Sequence, residues 1–254
     1  MERQAVIEVR DLVAVYGGDV IIDSISFDVY AGEIFVVLGG SGCGKSTLLK
    51  HLIGLNRPRS GHVIVAGHDI SHCDEQTYHT TLRKIGVLYQ SGALLGSMTV
   101  AENVALPILE YTDLPQDAVN TLVEMKLSLV GLNGYEHHLP SEISGGMKKR
   151  AGLARAMALN PQILFFDEPS AGLDPVTSAE LDQLILDLNR ILGTTMVIVT
   201  HELQSIFTVA QRVIMLDKRT RGIIAEGDPI FLRDHSRNSF VRRFLNRELK
   251  VAES

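Results

Sequence analysis

The order of hydrophobic and polar positions predicts an antiparallel β layer followed by alternating strands and helices. Residues 5–38 alternate apolar and polar side chains, and a turn signal at 16–19 divides them into two strands that lead into a buried strand over 34–38. Later strands are expected at 61–70, 85–89, 163–166, 196–199 and 213–216, with helical stretches such as 177–192 between the later ones. This alternation predicts the α/β class with a largely parallel central sheet.

A helical segment interrupts the strands in the middle of the chain. From Thr99 to about residue 159 the pattern is mostly helical, and Thr99 with Glu102 has the spacing of a capping box. Three prolines punctuate the segment: Pro107, Pro115 and Pro140. We predict one domain over 5–240 with a helical subdomain inserted at about 91–159, and a short C-terminal tail over 241–254.

Composition and charge narrow the class of protein. The chain has 254 residues, of which 45% are hydrophobic and 21% charged, enough for a globular core. A net charge of −6 gives no general attraction to nucleic acid, so we expect no nucleic-acid partner. The apolar runs are too short to span a bilayer, and the first residues lack a secretory hydrophobic region. With Cys43 and Cys73 as the two cysteines, a reducing cytoplasmic setting is expected.

A glycine-rich loop is the strongest chemical motif in the sequence. It follows the buried strand over 34–38 and precedes a helix, and glycines there let backbone N–H groups turn inward towards phosphates. Lys45 can reach the β- and γ-phosphates, and the Ser46 hydroxyl can ligate Mg²⁺. A glycine-rich turn that binds nothing is the alternative, and the flanking strand and helix disfavour it. The predicted nucleotide-binding residues are Gly39, Gly40, Ser41, Gly42, Cys43, Gly44, Lys45, Ser46 and Thr47.

Two carboxylates follow the strand over 163–166. Open α/β sheets bind ligands at the carboxyl ends of their strands, so Asp167 and Glu168 should lie on the same edge as the glycine-rich loop. Adjacent residues point in different directions, which lets Asp167 face Mg²⁺ while Glu168 activates a water molecule as general base. In isolation, such a pair can also simply end a strand.

A second helix start has the character of a phosphate site. Ser144 is placed as an N-cap, and Gly145 and Gly146 leave backbone N–H groups open. A single nucleotide held by one domain does not need two such helix starts.

At this point the chain resembles the ATP-binding cassette family over roughly residues 5 to 240. In that family the serine-glycine-glycine signature of one subunit closes over ATP held by the glycine-rich loop of another. The resemblance implies that Tyr16 stacks on adenine, that Gln90 touches Mg²⁺ or the attacking water, and that His201 senses the γ-phosphate. It also implies that the loop over 170–174 communicates across the dimer. The expected fold is therefore an ABC ATPase fold, with ATP and Mg²⁺ as cofactors.

The resemblance assigns Glu168, His201 and Gln90 to catalysis, and Ser46, Gln90 and Asp167 to Mg²⁺. Single residues also have ordinary interpretations: Tyr16 as a turn aromatic, Gln90 as a polar strand end and His201 as a helix cap. Three positions depart from the family pattern: Ile143 replaces leucine, Met147 replaces a glutamine near the nucleotide, and Cys43 lies within the glycine-rich loop. Because the backbone N–H of Cys43 would bind phosphate, we expect its thiol to be alkylated only when ATP is absent.

The stretch 90–104, with its signature Ser-Gly-Gly-Met, is similar to the ATPases of Mla-type phospholipid transporters. That resemblance implies a second copy of the chain, an integral membrane permease, an MCE-domain lipid-binding protein and a STAS-domain regulator. It places the chain peripherally on the cytoplasmic face of the bacterial inner membrane. The alternatives are an importer of a polar solute such as an amino acid and, further away, a soluble cassette protein acting on DNA or the ribosome. A non-catalytic binding module would lack Glu168.

Two surface features stay open at this level. Leu94, Leu95, Met98 and Val100 could form a groove for a permease helix, or could pack within the helical insert. His68, His72, Cys73 and His79 lie close in sequence but do not have a firm zinc spacing, so a polar surface loop is the preferred interpretation.

Overall fold

A computed structural model describes residues 4–248 of the chain as ten strands and nine α-helices. The strands are β1 (Ala5–Tyr16), β2 (Asp19–Tyr30), β3 (Ile34–Gly39), β4 (Ser60–Val65), β5 (His68–Asp69), β6 (Ile85–Leu88), β7 (Ile163–Asp167), β8 (Thr195–Val199), β9 (Arg212–Asp217) and β10 (Gly222–Gly227). The helices are α1 (Lys45–Leu52), α2 (Glu75–Leu82), α3 (Val100–Tyr111), α4 (Gln116–Leu129), α5 (Gly145–Ala156), α6 (Pro175–Leu192), α7 (Leu203–Val209), α8 (Pro229–His235) and α9 (Ser239–Asn246).

Two sheets form the framework. The first is antiparallel, with the strand order β2-β1-β4-β5. The second has the order β10-β9-β3-β8-β7-β6, in which all neighbours run parallel except the pair of β9 and β10. The predicted α/β architecture, a parallel core with an N-terminal antiparallel layer, is confirmed.

A two-residue turn sets the register of the first hairpin. Gly17 and Gly18 both have positive φ, at 61° and 93°, which side chains disfavour and glycine tolerates. Val15 pairs with Val20 and Tyr16 with Asp19, so the turn signal in the sequence marks the observed reversal of the chain.

The hydrophobic core consists of two clusters on opposite faces of the parallel sheet. Successive side chains of a strand point to opposite faces, so Phe165 packs in one cluster and Phe166 in the other. The Phe165 cluster includes α1 and the antiparallel sheet. The Phe166 cluster includes apolar residues of α3, α4, α5 and α6, which places the helical segment on the other side.

The helical segment begins where the sequence predicts and differs in one detail. Thr99 and Glu102 form the expected capping box at the start of α3. Pro107 was expected to interrupt the helices, but it lies inside α3, which continues to Tyr111. A proline ring there removes one helical hydrogen bond without ending the helix. Within the part of the chain that the structure describes, we find no helix of the length and hydropathy needed to cross a bilayer.

The C-terminal region contains α9, which spans the boundary we predicted between 240 and 241. Val241 and Leu245 are buried in the core cluster around Phe166, so the first residues of the predicted tail pack against the domain. The rest of that tail, 249–254, lies outside the described residues.

Candidate active site

The carboxyl ends of four neighbouring strands bring most of the predicted site together. In the order β3, β8, β7 and β6, each strand runs parallel to the next. Val37 pairs with Val199, and Val199 with Asp167, so these strands end at nearly the same level. The residues that follow at this edge are the glycine-rich loop after β3, His201 after β8, Glu168 after β7 and Gln90 after β6.

Backbone conformation explains the glycines of the loop. Gly39 has a φ of 152°, and a Cβ there would lie 2.5 Å from the carbonyl oxygen of Leu216, so no side chain fits. Gly44 caps α1 in a left-handed conformation with a φ of 105°. The loop therefore reverses sharply and presents the first N–H groups of α1, which have no partner within the helix, as an anion site.

Lys45 is folded over this loop. Its ammonium group donates to the carbonyl oxygens of Gly39 at 2.9 Å and Gly40 at 3.3 Å. The side chain thus places a positive charge beside the predicted phosphate position, where a flexible lysine stem can exchange carbonyl oxygens for phosphate oxygens.

Glu168 and His201 form the centre of the predicted chemistry. The Glu168 Oε1 atom lies 2.8 Å from His201 Nδ1, and its Oε2 accepts the backbone N–H of His201 at 3.3 Å. The backbone N–H of Glu168 donates to the carbonyl of Val199 at 2.8 Å. His201 therefore positions this carboxylate rather than capping α7, whose N-cap residue is Glu202.

Glu168 has an unusual backbone conformation. Its φ is 47°, in the left-handed region that costs a non-glycine residue about 1 kcal/mol or more. This turn follows β7 directly after Asp167 and carries the Glu168 carboxylate to His201, while the separate direction of the Asp167 side chain stays a prediction. The fold must hold the strained residue in place from outside the turn.

Lys149 provides that support, and the sequence reasoning missed it. Its side chain is buried, and its ammonium group donates to the backbone carbonyls of Pro169, Ala171 (2.7 Å) and, more weakly, Glu168 (3.5 Å). Burial lowers the pKa of Lys149, while the charge of Glu168 opposes this effect. We infer that Lys149 is a positioning residue for the segment that carries Glu168, the predicted general base.

Arg155, at the other end of α5, holds the loop that follows Gln90. Its guanidinium group donates to the carbonyls of Gly92 at 2.9 Å and Ala93 at 2.8 Å. A Cβ on Gly152 would lie 2.8 Å from the carbonyl oxygen of Gly92, so helix and loop are in close contact. The helix α5 thus contacts both segments that flank the reaction centre.

Asn103 fixes the next part of the same loop. The side chain is fully buried, and its amide group donates to the carbonyls of Leu95, Met98 and Thr99 at 3.0–3.1 Å. Its oxygen accepts the N–H of Leu95 at 2.7 Å. All of these partners belong to the backbone, so the loop is held in shape independently of most of its side chains.

The site fits Mg²⁺ by its chemistry. Burial raises the pKa of Asp167, the negative charge of Glu168 raises it further, and Lys50 and Lys45 offset these effects only in part. A nearby cation would therefore favour the ionised form of this half-buried carboxyl group. Oxygen atoms of Ser46, Asp167 and Gln90 are of the kind that Mg²⁺ prefers, and these residues would hold it.

Cys43 is less accessible than its place in the loop led us to expect. From the sequence we expect its thiol to react with alkylating agents only when ATP is absent. Its exposed fraction is 3%, and burial raises the pKa of the thiol although Lys45 opposes this. The protonated thiol is a poor nucleophile, so we now expect slow alkylation in either state.

Among residues 4–248, the signature residues form no hydrogen bond with the glycine-rich loop of the same chain. Ser144 caps α5 and accepts the N–H of Met147 at 3.2 Å, while Ser144 and Gly145 are exposed. The Phe166 cluster includes residues of α5, whereas α1 belongs to the Phe165 cluster on the other face of the sheet. Met147 packs its side chain against the Phe166 cluster.

Two further predicted site residues occupy exposed positions. Tyr16 ends β1 and exposes 67% of its surface, as a stacking residue requires, although the structure shows no partner for it in the described part of the chain. Asp174 accepts the N–H groups of Val176 and Thr177 and so caps α6, which anchors the end of the loop over 170–174.

The structure differs from the apolar groove predicted over Leu94, Leu95, Met98 and Val100. Val100 is fully buried in the Phe166 cluster, and Leu94 packs against the same cluster, so ordinary packing applies to both. Leu95 is exposed. A cleft of about 370 Å³ lies instead on the side of Tyr89, Pro107 and Tyr111.

Comparison with known proteins gives the family. The model of the ABC transporter family matches residues 22–171. The ATP-binding protein Mkl of Mycobacterium leprae, named a probable ribonucleotide transport protein, is 43% identical over 97% of this chain and 70% of its own length. MlaF of Escherichia coli K12, named for intermembrane phospholipid transport, is 39% identical over 94% of this chain and 88% of its own. The methionine import protein MetN of Geobacillus kaustophilus is 37% identical over 95% and 70%.

Solved structures agree with the fold. CbiO1 of Clostridium perfringens, part of an ABC transporter complex, has a TM-score of 0.84 with 26% identity and covers 92% of each chain. A dimeric ATP-binding cassette in a post-hydrolysis state, bound to ADP and Pi, has a TM-score of 0.79 with 27% identity over 87% of this chain and 98% of its own. With a family match over more than half of its length and relatives near 40% identity, the chain belongs to the ABC transporter family, as one of its ATPase domains.

Proposed function

We propose that two copies of this ABC transporter ATPase bind ATP between them beneath a membrane permease and drive phospholipid transport of the Mla type. The catalytic part rests on one observation, the position of the Glu168 carboxylate. Its Oε1 lies 2.8 Å from His201 Nδ1, at the sheet edge that also carries the glycine-rich loop. A carboxylate in this position can accept a proton from water as it attacks the γ-phosphate.

The residues of one chain divide the work. Lys45 and the N-terminal N–H groups of α1 bind the phosphates, and His201 holds Glu168 towards them. When bound, Mg²⁺ would neutralise charge on the β- and γ-phosphates, with Ser46, Asp167 and Gln90 holding it. Lys149 keeps the backbone around Glu168 in its strained turn, so the base need not reorganise during the reaction.

A second copy of the chain accounts for the separated signature. The N-termini of α1 and α5 are both suited to phosphate, but their helices pack on opposite faces of the sheet. A neighbouring copy can supply the exposed Ser144 and Gly145 to the nucleotide of the first. When each copy supplies its signature to the nucleotide of the other copy, the dimer contains two equivalent sites.

The cleft beside Gln90 is the proposed contact for the permease. It is lined by apolar and aromatic residues that include Tyr89, Leu106, Pro107 and Tyr111, with Arg83 lying 4.9 Å above the Tyr111 ring. An amphipathic helix presented by a permease would fit such a surface. Arg155 lines the cleft and also binds the carbonyls of Gly92 and Ala93. A permease helix bound in the cleft can therefore shift the loop that follows Gln90.

Phospholipid is the proposed cargo because MlaF proteins are close relatives and because the stretch 90–104 resembles the Mla type. The second candidate, import of a polar solute, is supported by the similarity to the methionine import protein. An MCE-domain protein and a STAS-domain regulator are the further partners that the first candidate requires, on the cytoplasmic face of an inner membrane.

The test is affinity purification of the chain from detergent-solubilised membranes, followed by mass spectrometry. Recovery of a permease together with an MCE-domain protein is expected. Recovery of a permease for a polar solute would replace phospholipid by the second candidate. Recovery of ribosomes or nucleic acid alone would contradict transport.

A matched pair of variants tests the cleft in the same experiment. Tyr111→Asp introduces a charge into the cleft and is expected to reduce recovery of the permease. Ile191→Asp makes the same kind of change at an exposed apolar residue of α6 outside the cleft lining, and should leave recovery unchanged. Equal recovery with both variants would move the permease contact elsewhere.

A further inference from the structure

A cluster of metal-ligating side chains contains none of the residues of the proposed active site. His62 on β4, Asp69 on β5 and His72 in the turn after β5 offer ligand atoms that all lie within 4.8 Å of one another. The cluster is on the antiparallel sheet. Among the residues considered from the sequence, His72 belongs to it, whereas His68, Cys73 and His79 do not.

One carboxylate oxygen of Asp69 accepts hydrogen bonds from both histidines. Asp69 Oδ2 lies 2.7 Å from His62 Nδ1 and 3.1 Å from His72 Nδ1, and the two imidazole rings are 4.9 Å apart between centroids. An ionised carboxylate only accepts hydrogen bonds, so each Nδ1 carries a proton that points to the same oxygen. Three polar atoms therefore converge on one small volume.

The backbone around the cluster fixes this convergence. The other oxygen of Asp69, Oδ1, accepts the N–H of Ser71 at 2.9 Å, which orients the carboxylate. Ser71 is buried, and its hydroxyl accepts the N–H of Val63 at 3.0 Å. The N–H groups of His72 and Cys73 both donate to the backbone carbonyl of Asp69. The turn that carries His72 is thereby tied to the strand next to His62.

We propose that His62, Asp69 and His72 form a binding site for a divalent transition-metal ion of the Zn²⁺ type. Ligand atoms on one such ion, each about 2.1 Å from it, lie about 3–3.5 Å apart, close to the present spacing. The ion takes the place of the proton on each Nδ1, that proton moves by way of solvent to Nε2 of the same ring so that each imidazole stays neutral, and the ion bonds to both Nδ1 atoms and to Asp69 Oδ2. Two imidazoles and one carboxylate are a ligand set that suits zinc and its neighbours in the first transition row.

Exposure fits an open site rather than a closed one. The side chains of His62 and His72 are 57% and 59% exposed, and that of Asp69 is 27% exposed. An ion can enter without unfolding of the sheet edge, and its remaining coordination positions face solvent. The ion would join β4 to the turn after β5 across the hairpin.

A calorimetric titration of the tag-free full chain with ZnCl₂, in the absence of nucleotide, tests the proposal independently of ATP chemistry. One ion per chain is expected to bind, with the affinity falling roughly tenfold or more in Asp69→Asn and in the double variant His62→Ala/His72→Ala. The matched controls are His68→Ala and His79→Ala, which remove neighbouring histidines and should bind like the unaltered chain.

Circular dichroism of each metal-free variant establishes that it is folded before it is titrated. X-ray absorption at the zinc edge gives a second readout, with two imidazole nitrogens and oxygen donors expected around the ion. Absence of binding in the unaltered chain, unchanged binding in Asp69→Asn, equal loss in the two controls, or sulfur ligation would each overturn the proposal.

Discussion

Glu168 is the residue on which the proposed hydrolysis depends. Replacement by glutamine keeps the size of the side chain and its contact with His201 but removes the ability to accept a proton. We expect Glu168→Gln to lower kcat by roughly 10²–10⁴-fold while ATP still binds, because a general base contributes about that much. Steady-state phosphate release and equilibrium ATP binding measure the two quantities.

Glu202→Gln is the matched control for this substitution. Glu202 lies 3.8 Å from the other ring nitrogen of His201, so the variant removes an equal charge from the same neighbourhood. It should hydrolyse ATP at close to the unaltered rate. Hydrolysis at that rate by Glu168→Gln itself would show that another group is the base.

We expect Lys45 to contribute to ATP binding rather than to proton transfer from water. We expect Lys45→Ala to raise the Kd for ATP about ten- to a hundredfold, because hydrogen bonds to a charged group are worth about 1.5–3 kcal/mol. Equilibrium titration with a fluorescent ATP analogue measures the change. Lys84→Ala, a lysine just before β6, serves as the control, and an unaltered Kd in Lys45→Ala would contradict the assignment.

Residues whose role is local could be predicted from the sequence. Glycine tolerates positive φ, and Gly39, Gly42 and Gly44 near Lys45 adopt it, so the loop could be predicted from residue identity. The ends of the predicted strands lie at one edge of the sheet, as their pattern indicates. Lys149 was missed because its partners are carbonyls that only the tertiary fold brings near. A signal was present, since Gly146, Lys149 and Leu153 share one buried helix face, on which a lysine is unusual.

At the scale of elements, α5 connects the signature to the segment after Glu168. We expect Lys149→Met to lower kcat roughly ten- to a hundredfold with little change in KM for ATP, because small displacements of a catalytic group are costly. The buried carbonyls left unpaired should also lower the free energy of unfolding by about 1–3 kcal/mol. Enzyme kinetics and urea denaturation measure both effects.

Two related variants separate positioning by Lys149 from a merely structural role. Lys149→Arg keeps a donor near the carbonyls of Pro169 and Ala171 and should recover part of kcat. Lys148→Met changes the preceding residue, which has no hydrogen bond to that segment among the contacts described, and should behave normally. A loss of stability in Lys149→Met with kcat unchanged would leave Lys149 without a role in positioning.

The helix α6 contains a buried carboxyl group whose charge opposes folding. Burial raises the pKa of Asp182 despite a hydrogen bond from Ser205, and its Oδ1 atom has no partner among residues 4–248. Above the raised pKa the native state holds a buried charge, and below it the group is neutral. We expect Asp182→Asn to stabilise the protein at about pH 8, with the gain shrinking as the pH falls towards about 4.

Urea denaturation at several pH values measures this difference in the free energy of unfolding. Asp187→Asn is the control, because Asp187 is partly exposed on the same helix and pairs with Arg190 at 2.7 Å. The difference in the free energy of unfolding between Asp187→Asn and the unaltered chain should be small and should not shrink as the pH falls. A gain for Asp182→Asn that grows as the pH falls would reverse the sign and refute the explanation.

At the scale of the whole molecule, the proposed dimer divides each site between two chains. The structure offers a suitable signature variant: a Cβ on Gly145 would have Leu173 as its nearest neighbour at 4.0 Å, whereas on Gly146 it would lie 2.5 Å from Thr177. Gly145→Glu should therefore fold normally and place a negative charge where the partner's nucleotide binds.

At ATP concentrations well below the raised Kd of Lys45→Ala, neither Lys45→Ala nor Gly145→Glu should hydrolyse ATP alone, since each homodimer lacks one half of both sites. A mixture of the two is expected to regain activity, because one site of the mixed dimer combines an intact glycine-rich loop with an intact signature. ATPase assays across mixing ratios measure this. A mixture as inactive as its components would contradict sites shared between copies.

The hydrogen bonds of Arg155 and Asn103 have a consequence for how this protein can change through evolution. Both side chains bind backbone carbonyl oxygens of the loop over 91–99, and every amino acid possesses such a carbonyl. Mutations can therefore replace exposed side chains of the loop, such as those of Leu95 and Ser97, without breaking its attachment to α3 and α5, whereas at Gly92 a Cβ would lie 2.7 Å from the carbonyl oxygen of Lys148. A lineage can alter that loop to suit a new permease while the hydrolytic machinery, and its link to the loop, is inherited unchanged.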